Sequence, residues 1–371
     1  MGRNKIQLLL ITSVITTALE AQPLRCGNGK INDSALNTAL QFEHSVVSRP
    51  EQVDYLVRVW FHVFNNSDGS NTAATTTQVN TEFTTLLNSY AADNICFLFA
   101  GIDYTNSTAL NTQFNADSDP NGTALNPYQV PGCINIFYMR KINGNNTACN
   151  PPCGYGGIAL GGIPGTFFLV ATGNIGQGNT ISHEMGHCLG LLHTFEPYYG
   201  FEDINGANSA TAADKITDTK ADPFAYNGSA CYSTNASGCT YNGSCTDPNG
   251  ASNFTPPYTN LMSYWWNGNS GTCVANPLAT NGQFTRVESF LNTNSALIGC
   301  SSPAYVTQTA ITYSGGYFMA SAINTYTTSG NVIINGFTIA TIGGGNVVLT
   351  PGFDAAPNAY GLVEIKTKPC N

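Results

Sequence analysis

The chain has 371 residues, a net charge of −9 and only 9% charged residues. That length exceeds one typical domain and can bury a large core, while the acidic balance argues against a nucleic-acid partner and no polybasic patch marks a membrane surface. Aromatic residues at 11% argue against a disordered chain.

Arg3 and Lys5 precede a mostly apolar run from Ile6 to Leu19. This is the pattern of a secretory signal, cleaved near Ala18 or Ala21 and too short to serve as a membrane anchor. No later stretch is long enough to span a bilayer, so the expected location is extracellular with no transmembrane anchor. Twelve cysteines, all after the signal, fit an oxidising compartment with several disulfides. Nine Asn-x-Ser/Thr sequons run from Asn32 to Asn253. They are glycan acceptors in a eukaryote and otherwise a by-product of a chain rich in Asn, Ser and Thr.

A short polar segment containing Cys26 follows to about Pro50. Residues 55 to 64 are β-branched and aromatic and predict a strand. Residues 75 to 92 predict a helix, with Val79, Phe83, Leu86, Leu87 and Tyr90 at helical spacing. Strands are predicted at 95–102, 133–139, 156–160 and 167–171, with 103–130 as a long polar loop. A helix begins near Thr180, which reads as its cap, and ends at Gly190. Residues 196–260 read as loop-rich and hold Cys231, Cys239 and Cys245. Residues 283–297 predict a last helix. From Ser301 short Thr, Ile, Val and Tyr runs alternate with Gly and Asn turns. They predict a small all-β module bracketed by Cys300 and Cys370, a candidate disulfide. The expected division is a signal at 1–21, a pro-segment at 22–50, a main domain at 51–299 and a β-rich module at 300–371.

Residues 183 to 193 hold three of the chain's five histidines. His183 and His187 are four apart, so on a helix they share one face and can share a metal. Glu184 lies about 100° around from His183, beside the metal, which suits a general base. His193 cannot continue the same helix, because ten helical residues would carry it ~15 Å away and a zinc–nitrogen bond is about 2.0–2.1 Å. The helix must therefore end between the second and third histidine. Gly190 is the residue able to take the left-handed conformation that ends it. Three neutral imidazoles leave a fourth zinc position open for water, which marks a catalytic site rather than a structural one.

With this motif, the segment Asn260-Leu261-Met262-Ser263-Tyr264 makes the chain resemble the metzincin metalloproteases. In that family a methionine turn supplies an apolar floor under the metal, here Met262. A tyrosine two residues later supplies a phenol to the oxyanion, here Tyr264. Within the metzincins the chain is most similar to the pappalysin family, in its cytophagalysin-like branch. The pieces that carry this are His193-Thr194-Phe195, the DKITDT run from Asp214 to Thr219, and Phe284-Thr285-Arg286. The resemblance covers roughly residues 50 to 300. It implies an α+β fold, with a twisted mixed sheet, an edge strand, a backing helix, a zinc helix and a loop-rich lower half, plus the small all-β C-terminal module. The edge strand, at Gly157, Ile158 and Ala159, is the expected binding edge for a peptide. Some members bind calcium, for which Asp214 and Asp218 are the candidates.

Family members that prefer basic residues carry an acid after the methionine turn. Here residues 265–287 contain no Asp or Glu and begin with Trp265 and Trp266, so a basic preference does not follow. Leu24-Arg25-Cys26-Gly27 resembles the cysteine switch of latent metzincins, in which the thiolate takes the open zinc position; the alternative for Cys26 is a disulfide. If Cys26 is free, one more of the remaining eleven cysteines must be unpaired, and Cys188 on the zinc helix is the candidate.

The expected function is a secreted, latent zinc endopeptidase with one catalytic zinc and a protein or peptide substrate. The alternative is an inactive metzincin-fold binding or adhesion protein, whose β module contacts a surface or carbohydrate.

Overall fold

In the computed structural model the described residues are 25–27, 31, 33, 36–37, 55–91, 95–143, 155–176, 179–225, 231, 241–264, 278–294, 297, 305–308, 311–328, 332–349, 353–357 and 362–366. The signal segment, Cys300, Cys370, Cys239, Trp265 and Trp266 lie outside them.

Six strands form the main sheet: β1 (Arg25–Gly27), β2 (Tyr55–Asn65), β3 (Ile95–Asn106), β4 (Ile134–Met139), β5 (Tyr155–Ala159) and β6 (Phe167–Ala171). Their order is β1-β5-β6-β4-β2-β3. Only the β5–β6 pair is antiparallel; the others, including β1 on β5, are parallel. A largely parallel sheet needs cover on both faces, and β4 and β6 are buried at every position. On one face Val57, Val59, Phe61 and Val63 of β2 join a core with Val79, Leu86, Ile181, Met185, Val287 and Phe290. On the other face Phe64, Phe137, Met139 and Leu169 meet Leu110, Phe114 and Leu125. Each of these large side chains contributes roughly 1.5–3 kcal/mol by leaving water.

The first face is covered by three helices: α1 (Thr76–Tyr90), α3 (Thr180–Cys188) and α4 (Asn281–Thr293), with α2 (Thr108–Thr112) on the second face. Capping boxes start two of them, Thr75 with Gln78 at α1 and Thr280 with Gln283 at α4. The α3 start differs from expectation. Thr180 is its first helical residue, and Asn179 is the cap, with no side-chain cap bond. The segment 103–130 is also more ordered than a loop. β3 runs on to Asn106, Ser107 caps α2, and a 3-10 turn spans Thr123–Tyr128. Polar side chains supply the backbone partners there, as when Asp119 accepts from the amides of Thr123 and Ala124.

The last module contains strands β7 (Tyr305–Gln308), β8 (Ile311–Thr328), β9 (Val332–Val348), β10 (Phe353–Pro357) and β11 (Leu362–Lys366). Every pairing in it is parallel. Ile311 lies opposite Val332, and Val332 opposite Phe353. Parallel pairing of successive strands excludes simple hairpins between them. Register shifts fall between Tyr313 and Gly315 and between Ala322 and Thr325.

Candidate metal centre

The turn that ends α3 is built by its own backbone. Gly190 has φ +91, its amide donates to His187 O (3.1 Å), and the Leu191 amide donates to Gly186 O (2.8 Å). These two bonds satisfy the last carbonyls of the helix and turn the chain back so that His193 faces His183 and His187. The ligand nitrogens of the three rings lie within 4.8 Å of one another, and all three side chains are buried. Among the described residues this is the only group of three or more His, Cys, Asp or Glu side chains that could hold a metal.

The tautomers are set by what stands behind the rings. His183 Nδ1 meets Leu261 O at 2.7 Å, and His187 Nδ1 meets Leu191 O at 2.8 Å. A carbonyl can only accept, so Nδ1 carries the proton and Nε2 keeps its lone pair for a metal. Burial disfavours the charged rings, pushing His183 down to about 4 and His187 and His193 well below the usual histidine value. Three neutral imidazoles with converging lone pairs fit zinc, whose ligands must be deprotonated.

Glu184 is fully buried one residue after His183 and lies against β5, which is not itself the outermost strand as expected, because β1 pairs along its free side. A Cβ on Gly157 would stand 2.7 Å from Glu184 Oε1 and 2.8 Å from Thr180 Cγ2. Only glycine lets the strand lie this close to the carboxylate. Ile158 and Ala159 continue that strand, buried, toward Leu160.

The 260–264 turn is tied to the histidine segment, Leu261 O meeting His183 Nδ1 at 2.7 Å and Met262 O accepting from the Thr194 amide at 3.2 Å. Met262 is fully buried, and a Cβ on Gly186 would meet its Sδ at 2.5 Å. The glycine inside the motif is thus the seat of the methionine. Tyr264 OH stands 3.1 Å from His193 Nε2, and its ring packs on His193 with centroids 4.9 Å apart. The structure therefore brings His183, His187, His193 and Tyr264 together, with Glu184 against Gly157 of β5 and Met262 against Gly186 of the motif.

Several members of the site are not legible in the motif. Asp222 accepts from Thr194 Oγ1 (2.6 Å) and Ser263 Oγ (3.1 Å), tying the third-histidine loop to the methionine turn. Leu261 lends its carbonyl. Arg286 of α4, fully buried, donates to the carbonyls of Asp214 and Lys215. Hydrogen-bond partners of this kind lie far apart in sequence, so no local pattern announces them.

Calcium at Asp214 and Asp218 finds no support. Asp218 accepts from Thr280 Oγ1 (2.7 Å) and the Gly282 amide (2.8 Å) at the start of α4. Asp214 is buried, bonded to the Ile216 amide and Thr219, and pushed up to about 7 chiefly by burial.

The N-terminal segment crosses the site. β1 runs along β5 with Cys26 opposite Gly157 and Gly27 opposite Ile158. Further on, Leu36 is fully buried against Ile163 and Leu192, and Asp33 accepts from the hydroxyls of Tyr198 (3.2 Å) and Tyr199 (2.8 Å). Cys188 is a buried free thiol as expected, Cys133 is a second, and Cys231 pairs with Cys245.

No family model matches the chain. Among curated proteins, an extracellular metalloprotease of Colletotrichum graminicola is 30% identical over 250 residues, covering 63% of this chain and 76% of the relative. One of Neurospora crassa is 29% identical over 252 residues, covering 64% and 74%. One of Podospora anserina is 28% identical over 246 residues, covering 63% and 72%. Together with the three-histidine centre, these relatives place the chain in the same family, and it is a member of the extracellular metalloproteases.

Proposed function

We propose that the chain is a secreted zinc endopeptidase of the metzincin type, similar to the pappalysins, and is made latent by its own N-terminal segment. The observation that carries this reading is the convergence of three buried, neutral imidazoles beside Glu184 and the β5 edge. Residues 51–299 form the catalytic domain in this reading, and 22–50 the pro-segment.

His183, His187 and His193 hold the zinc, which when bound lowers the pKa of water to about 7 and polarises the scissile carbonyl. Glu184 takes the proton of the attacking water and returns it to the leaving amine. A peptide substrate adds as a strand to Gly157, Ile158 and Ala159, which brings its backbone past Glu184. The pairing of β1 with this edge supports that role, since the edge already accepts a strand. Tyr264 donates its phenol to the oxygen on which negative charge develops. Its hydroxyl, 3.1 Å from His193 Nε2, is within a side-chain swing of that position.

In the precursor the same strand is paired by Arg25–Gly27, and Cys26 would hold the metal's open position in place of water. The alignment of the Cys26 backbone with Gly157, and so with Glu184, supports this assignment. Asp33 and Leu36 hold the segment down at a second place.

One experiment tests both parts: digestion of casein by the processed protein and by the unprocessed Cys26→Ser precursor, each with and without a zinc chelator. The expected result is cleavage by both, lost on chelation and restored by zinc. Chelator-resistant cleavage would remove the zinc assignment, and an inert Cys26→Ser precursor would remove the thiolate switch.

A further inference from the structure

The first two ligand rings are backed by main-chain carbonyls, and the third is not. His193 Nδ1 is buried and has no hydrogen-bond partner among the described residues. Glu196 Oε2 stands 3.8 Å away, on a side chain that is only 6% exposed. The other oxygen of that carboxylate, Oε1, accepts from the Tyr198 amide at 3.2 Å and caps the short turn at Pro197–Tyr199. Phe195, between the two residues, stacks on the His193 ring with centroids 4.7 Å apart, which fixes the plane of the imidazole.

From this geometry we infer that Glu196 is a positioning residue for the metal centre and acts through His193. The inference rests on the zinc peptidase reading above. A ring that ligates through Nε2 must carry its proton on Nδ1, and a buried N–H without an acceptor is costly. A dication on Nε2 makes that N–H a stronger donor, and a carboxylate is the acceptor that answers it best. The 3.8 Å gap closes by a small rotation of a side chain already held at its other oxygen. The result is a carboxylate–histidine–metal arrangement, which sets ring orientation and raises ligand basicity. It gives the loop-borne ligand a charged support where the helix-borne ligands have carbonyls.

Zinc affinity of the purified full chain, measured by competition with a chromophoric chelator, tests this in wild type, Glu196→Gln and Glu196→Ala. Thermal unfolding of the metal-free forms is recorded alongside. Glutamine keeps the shape but has one acceptor oxygen for two donors. The expected result is zinc binding weakened about tenfold or more in Glu196→Gln and further, toward 100-fold, in Glu196→Ala. The metal-free Glu196→Gln protein should melt with wild type, and its cobalt-substituted form should show an altered visible spectrum. Wild-type zinc affinity in both variants would overturn the inference. So would an affinity loss that only tracks a loss of metal-free stability, which would reduce Glu196 to the cap of its turn. A wild-type chain that binds no zinc would instead overturn the peptidase reading itself, so the two failures are distinguishable.

Discussion

The metal centre joins two regions that hold their residues by different means. His183, His187 and Glu184 lie on α3, which packs its apolar face on the sheet through Ile181 and Met185 and is braced by α1, where Tyr90 OH donates to Ser182 O at 2.8 Å. His193, Met262 and Tyr264 lie on segments whose regular structure, among the described residues, is limited to two short 3-10 turns at Pro197–Tyr199 and Pro223–Ala225. That second region is held by buried polar pairs. Asp222 bridges Thr194 and Ser263, the Asn260 and Gln283 amides bond reciprocally (2.8 and 3.2 Å), and Arg286 holds the 214–215 carbonyls. The difference teaches where each region is vulnerable. Apolar packing tolerates conservative exchange, whereas a buried polar pair that loses one member leaves the other unsatisfied.

The largest effect is expected where the two regions meet. Gly186→Ala places a methyl 2.5 Å from Met262 Sδ and 3.3 Å from Tyr90 Oη, so the Met262 side chain must leave its seat on α3. Overpacking of this kind costs about 1–3 kcal/mol, and peptide cleavage should fall at least about tenfold, the factor that 1.4 kcal/mol of lost positioning implies. A Gly186→Ala enzyme with wild-type rate and melting temperature would break the claim that the two regions share this contact.

Next comes the loop-borne region alone. Asp222→Ala removes the acceptor that the hydroxyls of Thr194 and Ser263 share and should cost on the order of 1–3 kcal/mol in urea unfolding. The variant should also release zinc faster while α3 stays protected from amide exchange. Equal loss of protection in both regions would blur the comparison.

An effect confined to the pH dependence lies on α1, which braces the helix-borne region. Glu82 is 1% exposed, accepts from the Gly176 amide at 2.7 Å, and is pushed up to about 7, mainly by burial. Its folded pKa is above its unfolded value of about 4.5, so the folded state binds the extra proton. That contribution is fully present below pH 4.5 and is lost as pH rises through about 7. Glu82→Gln keeps an acceptor without the charge. Its stability should be flatter than wild type between pH 5 and 8, by on the order of 1–3 kcal/mol. Parallel curves would place the pH dependence elsewhere.

The same division governs what the amino-acid sequence discloses. The helix-borne ligands follow from a four-residue spacing, and the end of their helix from Gly190, because helix geometry is local. The strands and α1 are legible from periodicity for the same reason. The identity of Met262 and Tyr264 comes through family resemblance, since nothing near them in the chain requires their place against the histidine segment. Asp222 carries no local signature, and Arg286 shows only through that resemblance; each acts through partners brought near by the fold. Asp218 shows the converse error, a loop carboxylate that resembles a cation ligand and instead caps α4. The parallel register of the last strands is hidden too, because alternating short strands and turns fit antiparallel and parallel pairing equally well.

The central claim is that three imidazoles hold a zinc ion and Glu184 moves the proton. Zinc content and peptide cleavage of Glu184→Gln, set against wild type, test it together. The account predicts about one zinc per chain in both proteins and cleavage lowered by about 10²–10⁴-fold in the variant. Wild-type cleavage by a zinc-loaded Glu184→Gln protein would contradict it.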